Sequence, residues 1–176
     1  RGILPLDSFH IPRSLKKKIR NNPFEVRFDH NFAAVIRACA QQKPKRRETW
    51  INDEIIELYT KLFCMRHAHS VECWREEKLV GGLYGISIGG AFFGESMFSS
   101  ERDSSKIALV HLVARLNLAG FTLLDTQFIT EHLKQFGAIE ISRVEYLKIL
   151  NGALNLNVGF HLEVSLDAEE GVLRRI

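Results

Sequence analysis

Two acidic positions in this sequence have neighbours that could support chemistry, and the first is Glu95. It is the one charged residue in an otherwise apolar segment, residues 79–98, which contains six glycines. Glycines in a strand allow a ligand or another backbone to approach the sheet closely. We therefore expect Glu95 to lie buried in the floor of a site, where it orders a substrate amine or ribose or neutralises a buried cation such as Lys106.

The second position is Asp125, which precedes Gln127 at the end of a predicted strand. Side chains two residues apart on a strand point to the same face, so the Asp125 carboxylate could accept a hydrogen bond from the side-chain amide of Gln127. The amide oxygen would then be fixed to accept a hydrogen bond from an incoming amine and to orient it. The alternative is an aspartate that caps a turn beside a glutamine on the surface.

Trp50 and two histidines are further candidates. Trp50 follows a basic segment and could stack on an RNA base, although a tryptophan before a helix is more often a core residue. His67 and His69 are spaced as two ligands on one strand face, but no third ligand is near, so we interpret them as structural. The sequence has no P-loop, no Gly-x-Ser-x-Gly and no Cys-His pattern, so nothing in it indicates nucleotide hydrolysis or a covalent nucleophile.

The composition indicates one domain with its own hydrophobic core. With 176 residues, 45% of them hydrophobic, the chain can fold without disulfide or metal staples. Its three cysteines are odd in number and form no Cys-x-x-Cys pair, which favours a reducing compartment. No apolar run approaches the roughly 20 residues that span a bilayer, and no signal peptide is evident. We expect a soluble, cytoplasmic monomer, with further sequence upstream because the chain does not begin with Met.

Positive charge is concentrated in two places, although the net charge is only +3. Such clusters suit contacts with phosphates, which supply affinity without sequence preference. A solvated surface is the alternative interpretation of any basic run. The two clusters are Arg13, Lys16, Lys17, Lys18 and Arg20, and Lys43, Lys45, Arg46 and Arg47.

The periodicity of the apolar residues predicts an α+β chain. The predicted helices cover residues 11–22, 32–40, from 52 onward, 104–119, 130–136 and 144–150, and the predicted strands cover 25–29, 70–74, 79–88, 91–98, 121–125 and 138–141. Asn52 is the expected cap of the third helix, Gly120 the stop of the fourth, and Ser142 with Glu145 a capping box. An antiparallel meander followed by helix, strand, helix, strand and helix predicts a mixed sheet covered by helices.

Six segments of the sequence together resemble the bacterial leucyl/phenylalanyl-tRNA–protein transferase family. In chain order they are RGILPLDSFHIPRS (1–14), HAHSVE (67–72), LVGGLYG (79–85), FGESMF (93–98), LDTQF (124–128) and GAIEI (137–141). The resemblance implies a catalytic domain with an N-acetyltransferase-like fold over residues 1–176, with the small N-terminal domain of the family expected to lie outside this chain. It also implies an enzyme that needs no metal or small cofactor.

The activity implied by the resemblance is transfer of Leu or Phe from aminoacyl-tRNA to proteins whose first residue is Arg or Lys, which marks them for the N-degron pathway. By position, Asp125, Gln127 and Glu95 are implied as the polar catalytic residues and Trp50 as the residue that stacks on the terminal adenosine. The implied pocket for the aminoacyl side chain consists of Leu83, Phe92, Leu109, Leu112 and Leu124. The first basic cluster becomes the predicted contact surface for the tRNA acceptor stem.

Two other functions compete with this hypothesis. A coenzyme-A-dependent N-acetyltransferase of the same fold needs a glycine-rich turn that binds pyrophosphate through backbone N–H groups. Here the corresponding residues, 99–105, have the sequence SSERDSS, with two acids and no glycine. A tRNA-binding module without catalysis is the second competitor, and the implied apolar pocket beside Asp125 argues against it.

Overall fold

The computed structural model describes residues 1–21, 23–41 and 49–161. The strands in these ranges are β1 Gly2–Ile3, β2 Glu25–Phe28, β3 Ala68–Arg75, β4 Lys78–Ile88, β5 Ala91–Ser99, β6 Leu123–Gln127 and β7 Ile139–Glu140, and the helices are α1 Arg13–Arg20, α2 Phe32–Ala40, α3 Asp53–Cys64, α4 Ser104–Ala119, α5 Glu131–Lys134 and α6 Arg143–Leu154. The predicted loop at 41–48 and the second basic cluster lie, apart from Gln41, outside the described residues.

The chain divides into two compact units. The first unit comprises Arg1–Pro23, Ser87–Gly94 and Val110–Ile176, and the second comprises Phe24–Ile86 and Glu95–Leu109. Each unit contains one of the two acids that the sequence singles out, because Asp125 belongs to the first and Glu95 to the second. None of the helices in the described part of the chain is long and apolar enough to cross a membrane.

The first unit contains a mixed sheet with the strand order β5, β6, β1, β7. Strands β5 and β6 are parallel, whereas β1 is antiparallel to both of its neighbours. Ile3 pairs with Asp125 and Gly2 with Gln127, so one residue of β6 is bulged out at this point. Helix α6 covers the unit through Tyr146, Ile149, Leu150 and Ala153, which pack with Ile3, Ala91, Phe93, Leu123 and Ile141.

The second unit contains three antiparallel strands in the order β2, β3, β4. Strand β3 is buried along seven of its eight residues, because β2 and β4 flank it and α2 and α3 pack against it. The core of this unit joins Phe32, Val35, Ile36 and Cys39 of α2 to Ile51, Ala68, Tyr84 and Phe98. The antiparallel pairing of β3 with β4, the first two strands of the predicted meander, is therefore confirmed here.

Local signals in the sequence set several helix ends. The Asn52 side chain accepts a hydrogen bond of 2.9 Å from the N–H of Ile55, as predicted for the cap of α3. Ser142 caps α6 by accepting from the N–H of Glu145 at 3.2 Å. Gly120, with φ of 81°, ends α4 because a left-handed backbone there favours glycine. These caps explain why most predicted boundaries fall within a few residues of the observed ones.

Two expectations about the fold differ from the structure. Strand β1 was not predicted, because a pair of residues is too short to show a period of two. Residues Ile55, Tyr59, Leu62 and Phe63 of α3 contact the core of the second unit but are only half-buried, so the predicted buried stripe is wrong in its degree of burial.

Candidate active site

Asp125 is the most completely enclosed charged group among the described residues of the first unit, with an exposed fraction of 0%. Its Oδ1 accepts hydrogen bonds from the backbone N–H of Gln127 at 2.7 Å and from Nε of Arg1 at 3.1 Å. Its Oδ2 accepts from the same Arg1 Nε at 2.9 Å and from the Tyr146 hydroxyl at 2.5 Å. A buried carboxylate requires a counter-ion and hydrogen-bond donors, and this one has both.

At neutral pH the Arg1 guanidinium stays charged and the Tyr146 hydroxyl stays protonated, so both can donate hydrogen bonds to Asp125. Burial raises the pKa of Tyr146 to about 12, and the hydrogen bond to the Asp125 carboxylate adds to the shift. Burial opposes the charge on Arg1, but the hydrogen bond and attraction of Asp125 outweigh it and raise the pKa of the guanidinium. The guanidinium also lies 5.7 Å from the centre of the Tyr146 ring. Arg1, Tyr146 and Asp125 therefore form one connected polar cluster.

Gln127 is joined to Asp125, but through its backbone. The predicted bond from the side-chain amide is replaced by one from the main-chain N–H, because Gln127 has φ of 63° and leaves the regular strand conformation. The N–H of Phe128 donates to the carbonyl of Thr126 at 2.7 Å, which makes Gln127 the central residue of a γ-turn. Among the described residues, the side-chain amide of Gln127 has no hydrogen-bond partner.

Glu95 lies in the second unit in a different environment. It is half-buried and not buried as predicted, and it accepts a hydrogen bond from the Tyr59 hydroxyl. Burial and the Glu95 charge both raise the pKa of Tyr59. Lys106, the suggested cation partner of Glu95, lies instead 3.3 Å from the carboxylate of Asp103. The tyrosine therefore fixes Glu95 while part of that side chain stays accessible.

Trp50 is close to the Glu95 cluster through Tyr59. The Trp50 and Tyr59 rings make an edge contact with centroids 6.5 Å apart, and 49% of Trp50 is exposed. A core tryptophan would be enclosed, so the alternative interpretation of Trp50 as a core residue is wrong. Its exposed ring leaves a surface on which a planar base could stack.

The five residues predicted to form the aminoacyl pocket are all buried, with exposed fractions of at most 3%. They are Phe92, Leu112 and Leu124 in the first unit and Leu83 and Leu109 in the second. Phe92 pairs with Leu124 across β5 and β6, and Leu124 is adjacent to Asp125. Adjacent residues of a strand point to opposite faces, so Phe92 and Leu124 face away from the Asp125 carboxylate. These two pocket candidates are thus next to Asp125 in the sheet but on its other face, and their part in the pocket stays a prediction.

On the face of the sheet away from Asp125, the Phe92 ring packs against a second aromatic ring. Its ring stacks on that of Phe160 at 5.7 Å, and the Arg115 guanidinium lies 5.8 Å from the Phe160 ring. The surface formed by Phe92 and Phe160, with the Arg115 guanidinium beside it, stays the predicted location of the aminoacyl side chain.

The first basic cluster forms helix α1 of the first unit. Arg13, Lys17 and Arg20 are exposed, and their spacing of four and three residues places them on one side of the helix. Lys16 and Lys18 are half-buried and interact with other groups. The accessible part of the predicted tRNA surface is thus smaller than the sequence cluster.

Of the two histidines interpreted as structural, only His69 is buried and bonded within the second unit. Nδ1 of the buried His69 lies 2.8 Å from Oδ2 of Asp29, and His67 is exposed outside β3.

The residues before α4 are unsuited to a pyrophosphate. Asp103, with φ of 69°, lies next to the first turn and pairs with Lys106 and Arg102 at 3.3 and 3.7 Å. The Ser104 hydroxyl bonds the carbonyls of Val80 and Glu101 at 2.9 Å each. A bound phosphate would meet a carboxylate here, which argues against coenzyme A.

The second unit also has an open groove of about 720 Å³ between α2 and α3. Its walls mix charged and apolar residues, among them Arg37, Asp53, Lys61 and Met65. None of the candidate catalytic or binding residues lines this groove, so its volume does not mark it as the active site.

Sequence reasoning missed Arg1, Tyr59 and Tyr146 as members of the two acid clusters. Arg1 lies in a segment that carries the family resemblance, which was the available signal. Both tyrosines sit on helices whose apolar pattern predicts packing, and nothing in that pattern indicates that their hydroxyls reach an acid on another element.

Comparisons with known proteins agree on one family. Residues 3–151 match the model of the family described as leucyl/phenylalanyl-tRNA protein transferase. The leucyl/phenylalanyl-tRNA–protein transferase of Phenylobacterium zucineum is 59% identical over 161 residues, covering 92% of this chain and 73% of that protein. That of Caulobacter vibrioides is 60% identical over 154 residues, covering 88% and 71%.

A solved structure is similar in fold. The structure of L-PGS from Bacillus licheniformis matches 97% of this chain and 56% of its own, with a TM-score of 0.50 and 13% sequence identity. At that identity the match supports the fold and not the activity.

Proposed function

This chain belongs to the leucyl/phenylalanyl-tRNA protein transferase family, and we propose that it transfers leucine or phenylalanine from aminoacyl-tRNA to the amino terminus of a protein. The observation that carries the proposal is the family match over residues 3–151, a range that includes Asp125 and Gln127. The proposed acceptors are proteins that begin with Arg or Lys, and the product is a degradation signal in the cytoplasm. The resemblance of the six sequence segments supports these finer statements.

The proposed reaction is aminolysis of an ester. The lone pair of the neutral acceptor amine attacks the carbonyl carbon of the aminoacyl ester and forms the new C–N bond. The C–O bond to the terminal ribose breaks, and the ribose oxygen leaves with a proton while the amine nitrogen loses one. Because an ester reacts readily with a free amine, holding the two together supplies most of the rate, an effect worth about 7–11 kcal/mol at best.

The polar residues then have different parts in the proposal. The Gln127 side chain, without a hydrogen-bond partner among the described residues, is suited to accept a hydrogen bond from the acceptor amine. Glu95 is half-buried and fixed by Tyr59, so it is suited to contact a substrate amine or ribose hydroxyl. Asp125 has no exposed surface and acts through its neighbours.

Binding of the donor is proposed to use apolar and aromatic groups. Within the first unit, the buried residues Phe92, Leu112 and Leu124 are proposed to line the pocket for the aminoacyl side chain. Apolar pockets discriminate a methylene by only about 1–3 kcal/mol, so one pocket can accept both leucine and phenylalanine. Trp50 is proposed to stack on the terminal adenosine, which its exposed ring supports.

Contacts with the tRNA are proposed to come from helix α1. Arg13, Lys17 and Arg20 form its exposed basic side and can bind phosphates without reading sequence. Such contacts suit an enzyme whose donor is chosen by its amino acid.

The test is transfer of radiolabelled leucine from leucyl-tRNA to a peptide that begins with Arg. We expect labelled peptide, and no label on the same peptide when its amino terminus is acetylated. Binding of tRNA without transfer would contradict the proposal and favour a binding module. Acetylation of the peptide with acetyl-coenzyme A would favour the other competitor.

A further inference from the structure

The protein itself supplies hydrogen-bond donors to both oxygens of Asp125. They accept from three donors: the Nε–H of Arg1, which the two oxygens share, the Tyr146 hydroxyl and the Gln127 N–H. Its exposed fraction is 0%. A substrate proton therefore finds no position on this carboxylate, so Asp125 can influence the reaction only through the groups bonded to it.

The group with an unusual conformation among these is Gln127. A γ-turn with positive φ at a residue that carries a side chain is strained, and such a turn persists only where its surroundings hold it. The bond from the Gln127 N–H to Asp125 Oδ1, at 2.7 Å, is one such restraint. Strained backbone of this kind concentrates at functional sites because it places a side chain that a regular strand would direct elsewhere.

Strand β1 supplies a second restraint on the turn. Gly2 lies so close to it that a Cβ at this position would be 2.7 Å from the carbonyl carbon of Phe128. Gly2 pairs with Gln127, and the next residue, Ile3, pairs with Asp125. The absence of a side chain at Gly2 therefore permits β1 to pack directly against the turn.

Tyr146 connects this arrangement to α6. Its ring belongs to the apolar cluster formed with Ile149, Leu150 and Ala153 of the same helix, and the start of α6 is fixed by the Ser142 cap. The hydroxyl bond to Oδ2 therefore holds the carboxylate from one side while Arg1 holds it from another. Packing of α6 fixes where that hydroxyl lies.

We propose that Tyr146 is a positioning residue for aminoacyl transfer: its hydroxyl fixes Asp125, and Asp125 fixes the Gln127 turn so that the Gln127 side chain is held for the acceptor amine. This inference rests on the proposed function. Tyr146 does not touch the substrate in this arrangement, so removal of its hydroxyl affects the chemical step and not the binding of tRNA.

The first test is Tyr146→Phe, which removes the hydroxyl and keeps the ring. A hydrogen bond to a charged group is lost, so we expect kcat to fall about 10- to 100-fold, with KM for leucyl-tRNA within about twofold of the parent value. Val144→Ala on the same helix is the control, since the Val144 side chain is 81% exposed, and it should keep the parent kcat. An unchanged kcat in folded Tyr146→Phe protein would overturn the proposal.

A double-mutant cycle separates positioning from a general loss of stability. If Tyr146 acts through Gln127, the change Tyr146→Phe should cost little further activity in a Gln127→Ala background. Full additivity of the two losses would show that the hydroxyl acts elsewhere and would also overturn the proposal.

A second variant and an assay of the parent protein complete the test. If Tyr146→Phe does not fold, Gly2→Ala perturbs the same turn from β1, and its kcat must fall with KM unchanged for the proposal to stand. The parent protein is assayed in parallel with leucyl-tRNA and the Arg peptide. An inactive parent refutes the proposed function, whereas an active parent with an equally active variant refutes only the role of Tyr146.

Discussion

Asp125 and Glu95, the two acids that the sequence singles out, are both bound by a tyrosine from a helix, but their surroundings differ. Asp125 has no exposed surface, a guanidinium partner and a backbone N–H. Glu95 is half-buried beside Tyr59, whose ring also contacts the exposed Trp50. An enclosed acid bonded on both oxygens by the protein holds the backbone around it, whereas a half-buried acid can still meet a ligand.

The largest expected effect in this comparison is on stability. Asp125→Ala removes the partner of Arg1, Tyr146 and the Gln127 N–H, so it should lower the free energy of unfolding by about 3 kcal/mol. Glu95→Ala, at a half-buried site, should lower it by about 1 kcal/mol or less. Urea unfolding of both variants measures the difference. Equal losses would mean that the two acids are not distinguished by their burial.

The next effect concerns the turn that Asp125 holds. Gly2→Ala places a Cβ 2.7 Å from the Phe128 backbone and should destabilise the protein by about 1–3 kcal/mol. Gly152→Ala is the matched control, because no atom lies within 4 Å of its added Cβ on α6, and it should stabilise by about 0.5–1 kcal/mol. Thermal unfolding gives both values, and a neutral Gly2→Ala would contradict the tight approach of β1.

On the Glu95 side, the corresponding test addresses Trp50. Loss of a base stacked on an aromatic ring costs about 1–3 kcal/mol, so Trp50→Ala should raise KM for leucyl-tRNA about 10-fold or more. Trp50→Phe keeps an aromatic face and should raise KM only a few-fold. Since the side chain is 49% exposed, neither variant should unfold. A KM unchanged in Trp50→Ala would remove the adenosine contact from the proposal.

The raised pKa of Tyr146 predicts a loss of stability at alkaline pH. The folded pKa of Tyr146 is about 12 against an ordinary value of 10.0, so between these values the unfolded chain releases a proton that the folded one keeps. The free energy of unfolding should therefore fall as the pH rises above 10.0, and it is independent of this group at lower pH. Urea midpoints from about pH 9 to pH 11 should fall less steeply in Tyr146→Phe than in the parent. An identical slope would place the tyrosine outside the coupled cluster.

The smallest effect concerns the basic side of α1 in the unit that holds Asp125. Lys17→Gln with Arg20→Gln should raise KM for leucyl-tRNA modestly and reduce the slope of log KM against log salt by about 1–2. Lys16→Gln, at a half-buried position, is the comparison variant and should change the slope less. A salt dependence equal to that of the parent would exclude α1 from the tRNA interface.

Much of the fold was predictable because its signals are local. The Asn52 cap, the Gly120 stop and the hairpin of β3 and β4 each depend on residues that are close together in the chain. Strand β1 was not predictable, because it is a strand only through pairing with β6 and β7, more than a hundred residues away. Its contribution to the Asp125 cluster was hidden for the same reason.

The sequence by itself determined the family and the candidate residues. Its motifs singled out Asp125, Gln127 and Glu95, and its segments identified the family. Only the tertiary structure decided which contacts these residues make, because burial and hydrogen bonding depend on partners distant in the chain: Arg1 and Tyr146 lie 124 and 21 residues from Asp125. Because Gln127 has a positive φ, its backbone N–H and not its side chain bonds Asp125. The order of residue types does not predict that backbone conformation.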